Sequence, residues 1–247
     1  MPAFTKDYHV AGYECDQDST LSTATIFNWL QDSMDKFSRT HDIGYDHLKP
    51  QGLTYILRGY DVLINNLPHW SDDVQMETSL QDSSMCSLFF RQNLYAKHDK
   101  RLLFSGTSQV ALMDFFKKKP ARIQEHLPLS ALDSLKSPVI MPTLQALARV
   151  DTVRTQEIPY DHIDFNQHVN NTNYVLYAQR AIDPLFLKKA RLKRIQIAYK
   201  KAAQLGDRLK VETQIAPGFT DHQISSQTQP NQQFARVRLA WVPKTDR

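Results

Sequence analysis

Residues 160–179 read Y-D-H-I-D-F-N-Q-H-V-N-N-T-N-Y-V-L-Y-A-Q. Asp164, Asn166 and His168 stand two residues apart, Asn170 and Asn171 follow, and then an apolar run begins at Tyr174. This pattern predicts a polar loop that runs directly into the start of a buried helix. The first turn of a helix has unsatisfied backbone N–H groups and the positive end of the dipole. A carboxylate, a carboxamide and an imidazole beside those donors suit the attack of water on a polarised carbonyl.

Working outward, the same pattern occurs once more, in weaker form. Asp164–Gln179 can be laid on Asp16–Gln31, 148 residues earlier (164 − 16). Leu209-Lys-Val-Glu-Thr213 can be laid on Val74-Gln-Met-Glu-Thr78, 135 residues earlier (209 − 74). Two matches in one order predict an internal repeat. In that register His168 falls on Thr20 and Asn166 on Asp18, so the first copy keeps a helix start without the imidazole.

In the first half, Ser22 is the expected N-cap. Ile26, Phe27, Leu30, Met34 and Phe37 form a helical stripe, and Gly44 is the expected stop. Four strands are predicted: Leu53–Ile64, a segment from Val74, one over Leu88–Ala96, and one from Leu102 to Met113. Leu53–Ile64 is long and largely apolar, and apolar and polar residues alternate in the segments from Val74 and over Leu88–Ala96, with turns such as His98-Asp99-Lys100 between, as in an antiparallel meander. Tyr8–Gly12 reads only as an apolar lead, and Trp70 as a packing anchor. Residues 120–150, with Pro128, Pro138 and Pro142, read as a linker with a short helix over Leu144–Arg149. The second half should repeat the plan with strands over Lys193–Tyr199, Leu209–Ile215, Gln223–Gln229 and Phe234–Val242.

The loop D-x-N-x-H-V-N-N followed by an aromatic resembles the signature of hotdog-fold thioesterases, and most closely the acyl-acyl carrier protein (acyl-ACP) thioesterases. H-D-I-G-Y-D-H-L-K-P-Q-G-L-T-Y-I-L-R (41–58) and Pro68, Trp70, Ser71 and Asp72 resemble the N-terminal half of that family. The resemblance implies an α+β double hotdog, two units each with a long helix wrapped by an antiparallel sheet. The expected boundaries are an acyl-binding unit over 1–127, a linker over 128–148 and a catalytic unit over 149–247. It implies hydrolysis of fatty acyl-ACP to free fatty acid and carrier thiol, in fatty acid biosynthesis. Asp164, Asn166 and His168 would be catalytic, with Asn170 and Asn171 supporting. Asp164 would accept a proton or fix the His168 tautomer, unless it only caps the following helix.

The chain departs from the family at one place. The family commonly has Tyr-Arg-Arg-Glu-Cys after the helix; here the run is Tyr199-Lys200-Lys201-Ala202-Ala203. A cysteine nucleophile is therefore excluded there, and the base must come from the loop. Two alternatives stay open: an acyl-CoA thioesterase, and an acyl-thioester-binding protein without turnover.

Composition narrows the field further. Hydrophobic residues make up 41% of 247, enough for real cores. A net charge of +4 suits an acidic partner such as acyl carrier protein, and is too small to indicate nucleic acid. The positive charge gathers at Lys117–Lys119 and over Lys188–Arg194. There is no Gly-x-Ser-x-Gly elbow, no glycine-rich phosphate loop and no His/Cys cluster with metal spacing, so neither cofactor nor metal is expected. Cys15 and Cys86 read as free thiols in a reducing compartment. Without an apolar span or leader, the expected location is the cytoplasm. A homodimer is left open, because two units in one chain already make a pseudo-dimer.

Overall fold

The computed structural model describes residues 2–127 and 138–244. The chain divides into two compact units, Met1–Met141 and Pro142–Arg247.

The first unit runs β1 (Phe4–His9), a 3-10 turn (Gly12–Glu14), α1 (Thr23–Thr40), α2 (Tyr45–Leu48), β2 (Leu53–Ile64), β3 (Asp73–Ser83), β4 (Ser87–Ala96), β5 (Leu102–Asp114), β6 (Lys119–Pro120) and α3 (Ile123–His126). Its antiparallel sheet has the order β1-β3-β4-β5-β2, with β6 paired to β5. The second unit runs β7 (Thr152–Glu157), a 3-10 turn (Tyr160–His162), α4 (Asn171–Arg180), α5 (Pro184–Lys189), β8 (Ala190–Tyr199), β9 (Arg208–Ala216), β10 (Phe219–Ser226) and β11 (Gln233–Pro243). Its order is β7-β9-β10-β11-β8, the same path strand for strand. Each unit is a hotdog: α1 packs on β1, β3 and β4, and α4 on β9, β10 and β11.

The repeat holds at atomic register. β1 opposes β3 with Phe4 on Thr78, and β7 opposes β9 with Thr152 on Thr213, at the same two spacings of 148 and 135 residues. The N-caps are Ser22, accepting from the Thr25 N–H, and Asn170, accepting from the Thr172 N–H. Position 78 pairs with Gln92 and position 213 with His222, so these two buried polar residues are equivalent. Gln92 ties β4 to α1 and β5: its amide donates to Leu30 O and Ser33 Oγ, and it accepts from Ser108 Oγ. His222 is held between Thr213 Oγ1 at 3.0 Å and Thr220 Oγ1 at 2.9 Å, and the Trp241 indole donates to that second hydroxyl. Both groups are satisfied, as buried polar groups must be.

Several expectations are corrected. The strands β1 and β7 were not anticipated, because their sequences, F-T-K-D-Y-H and T-V-R-T-Q-E, lack apolar alternation. β1 is held instead by polar contacts with α1. Lys6 and the Tyr8 hydroxyl both reach Asp32, and the Tyr8 ring stacks on Trp29 at 4.2 Å. Gly44 does not stop α1, which ends at Thr40; it is the N-cap of α2. Residues 144–149 form no helix and have a bend at Ala148. Gln214 Oε1 accepts the Ala148 N–H, and Arg236 donates to Leu144 O, so side chains of the sheet take up backbone groups of this segment. β10 starts four residues before the expected Gln223, after the turn at Pro217-Gly218, where Gly218 has φ 79°. Trp70 is 63% exposed and is not a packing anchor. Pro128 and part of the linker lie outside the described residues.

Burial lowers the His222 imidazole to about 4, so it stays neutral in the folded protein. In the unfolded chain it titrates near 6.5. The unfolded state therefore binds the extra proton between these values, and stability falls as pH drops from about 6.5 to about 4. The slope is up to about 1.4 kcal/mol per pH unit. Urea unfolding across that range should show this slope in the wild type and its loss in His222→Gln.

Candidate active site

The loop before α4 is built on one carboxylate. Asp164 Oδ1 accepts the Asn166 N–H at 2.8 Å and the His168 N–H at 3.4 Å. The Asp164 N–H donates to His168 O at 2.8 Å and the Gln167 N–H to Asp164 O at 3.0 Å, closing a tight turn. Gln167 takes φ 62°, which such a turn requires. The loop leaves through a bridge between Ile163 and Val169, and Asn170 then caps the helix.

Two neighbours anchor this loop. The Val169 N–H donates to Ala203 O at 2.9 Å, and the Ala203 N–H donates to the buried Tyr174 hydroxyl at 2.8 Å. His162 O accepts the Asn170 N–H and the Asn173 amide. The His162 ring bonds the Tyr177 hydroxyl at 2.7 Å, and burial, with Arg180 nearby, lowers its proton affinity. Burial pushes Tyr174 up to about 12, so its hydroxyl stays protonated.

The first unit contains the same device. Asp16 Oδ1 accepts the Asp18 and Thr20 N–H groups, and Ser19 has φ 57°. The Leu21 N–H donates to Pro68 O as Val169 does to Ala203 O. Asp72 accepts the His69 N–H as Asp207 accepts that of Gln204. Trp29 donates to Glu14 at the place of the Tyr177–His162 pair. The difference lies in what the loop carries. Thr20 Oγ1 is turned onto the Asp16 carboxylate, 3.2 Å from each oxygen. The half-buried His168 imidazole and the exposed Asn166 carboxamide make no hydrogen bond among the described residues.

The structure thus brings Asp164, Asn166 and His168 into one turn. No hydrogen bond joins their side chains, so the expected tautomer-fixing contact from Asp164 to His168 is not made. Asn170 is the helix cap. Asn171 presents a backbone N–H with no acceptor among the described residues, while its carbonyl accepts from Tyr199. That N–H is a donor at the positive end of α4. Asn173, Tyr177 and His162 went unread in the sequence. Only the repeat, which places them on Thr25, Trp29 and Glu14, signals their bracing role.

Two family models cover the chain: the acyl-ACP thioesterase N-terminal domain matches residues 2–128 and the C-terminal domain matches residues 147–243. The chain belongs to the acyl-ACP thioesterase family. It is 19% identical over 264 residues to a palmitoyl-acyl carrier protein thioesterase of Gossypium hirsutum, covering 98% of this chain and 64% of that protein. The chain spans 61–64% of the length of such curated relatives. Two solved structures share the fold. The 12:0-ACP thioesterase from Umbellularia californica has a TM-score of 0.86 at 18% identity, over 98% of both chains. An acyl-ACP thioesterase from Bacteroides thetaiotaomicron has 0.82 at 15%, over 97% of this chain and 98% of that one.

Losing either aspartate brace leaves two loop N–H groups without their acceptor. Asp16→Ala and Asp164→Ala should each lower the unfolding free energy by about 1–2 kcal/mol, as removal of a helix cap does. Urea titration at neutral pH measures both.

Proposed function

We propose that the chain hydrolyses fatty acyl-ACP thioesters to free fatty acid and carrier thiol. The observation that carries this reading is the contrast between the two loops of one family member. One ties its hydroxyl to the brace, and the other holds an imidazole and a carboxamide unengaged at a helix start. Water bound by Asn166 gives a proton to His168 as its oxygen attacks the thioester carbon. The carbonyl oxygen gains the charge, and the Asn171 N–H with the positive end of α4 stabilises it. Collapse expels the thiolate, which takes the proton back from the imidazolium. Asp164 acts through the loop: it fixes the backbone that carries both side chains.

In the same proposal the first unit takes the acyl tail and the second does the chemistry. The acidic carrier docks on Lys188, Lys189, Arg191 and Arg194, all exposed around α5 and the start of β8. The setting is cytoplasmic, with Cys15 and Cys86 as free thiols. Among the described residues no helix is long and apolar enough to cross a membrane. A second reading, acyl-thioester binding without turnover, is favoured by Ala202 and Ala203, which stand where relatives commonly hold an acid and a thiol.

Thiol release from acyl-ACP and acyl-CoA of matched chain length tests the proposal. His168→Ala should lower kcat on the order of 100-fold or more with little change in KM. Glutamate at Lys188 and Lys189 should raise KM for acyl-ACP at low salt and leave acyl-CoA unaffected. Binding without thiol release decides for the second reading.

A further inference from the structure

One end of the first sheet exposes apolar side chains together with several cations. The β5–β6 turn has the sequence Phe115-Phe116-Lys117-Lys118-Lys119. Phe115 is 68% and Phe116 80% exposed, with their rings edge-to-face at 5.9 Å. Met85, in the β3–β4 turn, is 69% exposed and lies at the same end, because its carbonyl accepts the Ile123 N–H. Lys49, Lys117, Lys118, Lys119 and Arg122 are all exposed around them. Asp114 pairs with Lys117, and Glu125 lies 3.8 Å from Arg122. Lys118 and Lys119 pair with no carboxylate among the described residues.

The tip has a set shape. Asp114 Oδ1 accepts the Phe116 and Lys117 N–H groups, and the Phe115 N–H donates to Gly52 O. Gly52 takes φ 71°, and a Cβ there would lie 2.6 Å from the Phe116 ring. The Phe116 ring therefore lies over the bare Gly52 backbone, and both rings stay largely exposed to water. Neighbouring exposed aromatics of this size mark a contact surface. Two rings on the tip of a turn form a projection, which a groove-seeking acidic helix would not fill. Aromatic rings at headgroup depth, with lysines over anionic phosphates, form a complementary pair.

We propose that the Phe115–Lys119 turn docks the protein on a bilayer surface bearing anionic phospholipid headgroups. This is separate from the hydrolase reading, since a chain that releases no thiol can still bind vesicles.

Co-sedimentation of the whole chain with vesicles tests it, using phosphatidylcholine alone and phosphatidylcholine with about one third phosphatidylglycerol. The protein should sediment only with the anionic vesicles, and less in high salt. Lys118→Gln with Lys119→Gln should weaken partitioning by about 30-fold, at the usual strength of a lysine near such a surface. Phe115→Ser with Phe116→Ser should abolish it, with the thermal melt and acyl-CoA turnover unchanged. Should that double variant fail to fold, Phe116→Trp serves instead, its emission shifting to the blue only with anionic vesicles. No sedimentation, equal sedimentation of the lysine variant, or a Trp emission indifferent to vesicles overturns the proposal. So does size exclusion showing a dimer that the Phe variant dissolves, or a lysine variant that alters only KM for acyl-ACP.

Discussion

A single carboxylate oxygen, accepting the backbone N–H groups two and four residues ahead of it, shapes the mouth of each helix. Asp16 does this in the first unit and Asp164 in the second. The brace forces a positive φ at Ser19 and at Gln167, and it turns the chain into the capping residue, Ser22 or Asn170. Charge-assisted bonds of this kind are stronger than neutral ones, which suits a turn that must keep its shape. In the second unit this turn fixes the backbone that carries Asn166 and His168.

The two units show how one scaffold carries different side chains. Ala203 and Pro68 both supply the carbonyl that fixes the loop, and Gly206 and Ser71 both take the left-handed conformation of the following turn. Against that constant frame the side chains diverge. Thr20 is tied to its own brace, whereas His168 projects away from an equivalent one. The buried position on the second meander strand is Gln92 in one unit and His222 in the other, each with partners suited to it. Packing is also exchanged. Gly106 makes room for Leu30, while the equivalent pair is the buried Val237 and Ala178.

Much of this was legible in the sequence. Period-two alternation marks β3 and β4, and a long apolar run marks β2, because those strands pack on the core. The stripe from Ile26 to Phe37 marks α1 for the same reason. Both repeat spacings and both N-caps could be read because they depend on local residue types. The edge strands β1 and β7 could not. β7 is almost wholly exposed, and in β1 Phe4 packs half-buried on the core while Lys6 and Tyr8 are secured by Asp32, a residue on another element. The irregular path of 144–149 was also hidden, since its backbone groups are bonded by Gln214 and Arg236, distant in sequence.

The sequence by itself determined the hotdog plan, the duplication and the three residues of the loop, because apolar periodicity, caps and turn chemistry act between near neighbours. The tertiary structure alone decided what each of those residues does. Asp164 is spent on backbone N–H groups, the His168 and Asn166 side chains bond no other group among the described residues, and Ala203 supports the loop through its carbonyl. Those outcomes depend on which donors and acceptors meet across 30 or more residues, between Val169 and Ala203 or Leu21 and Pro68. No local pattern encodes such a meeting.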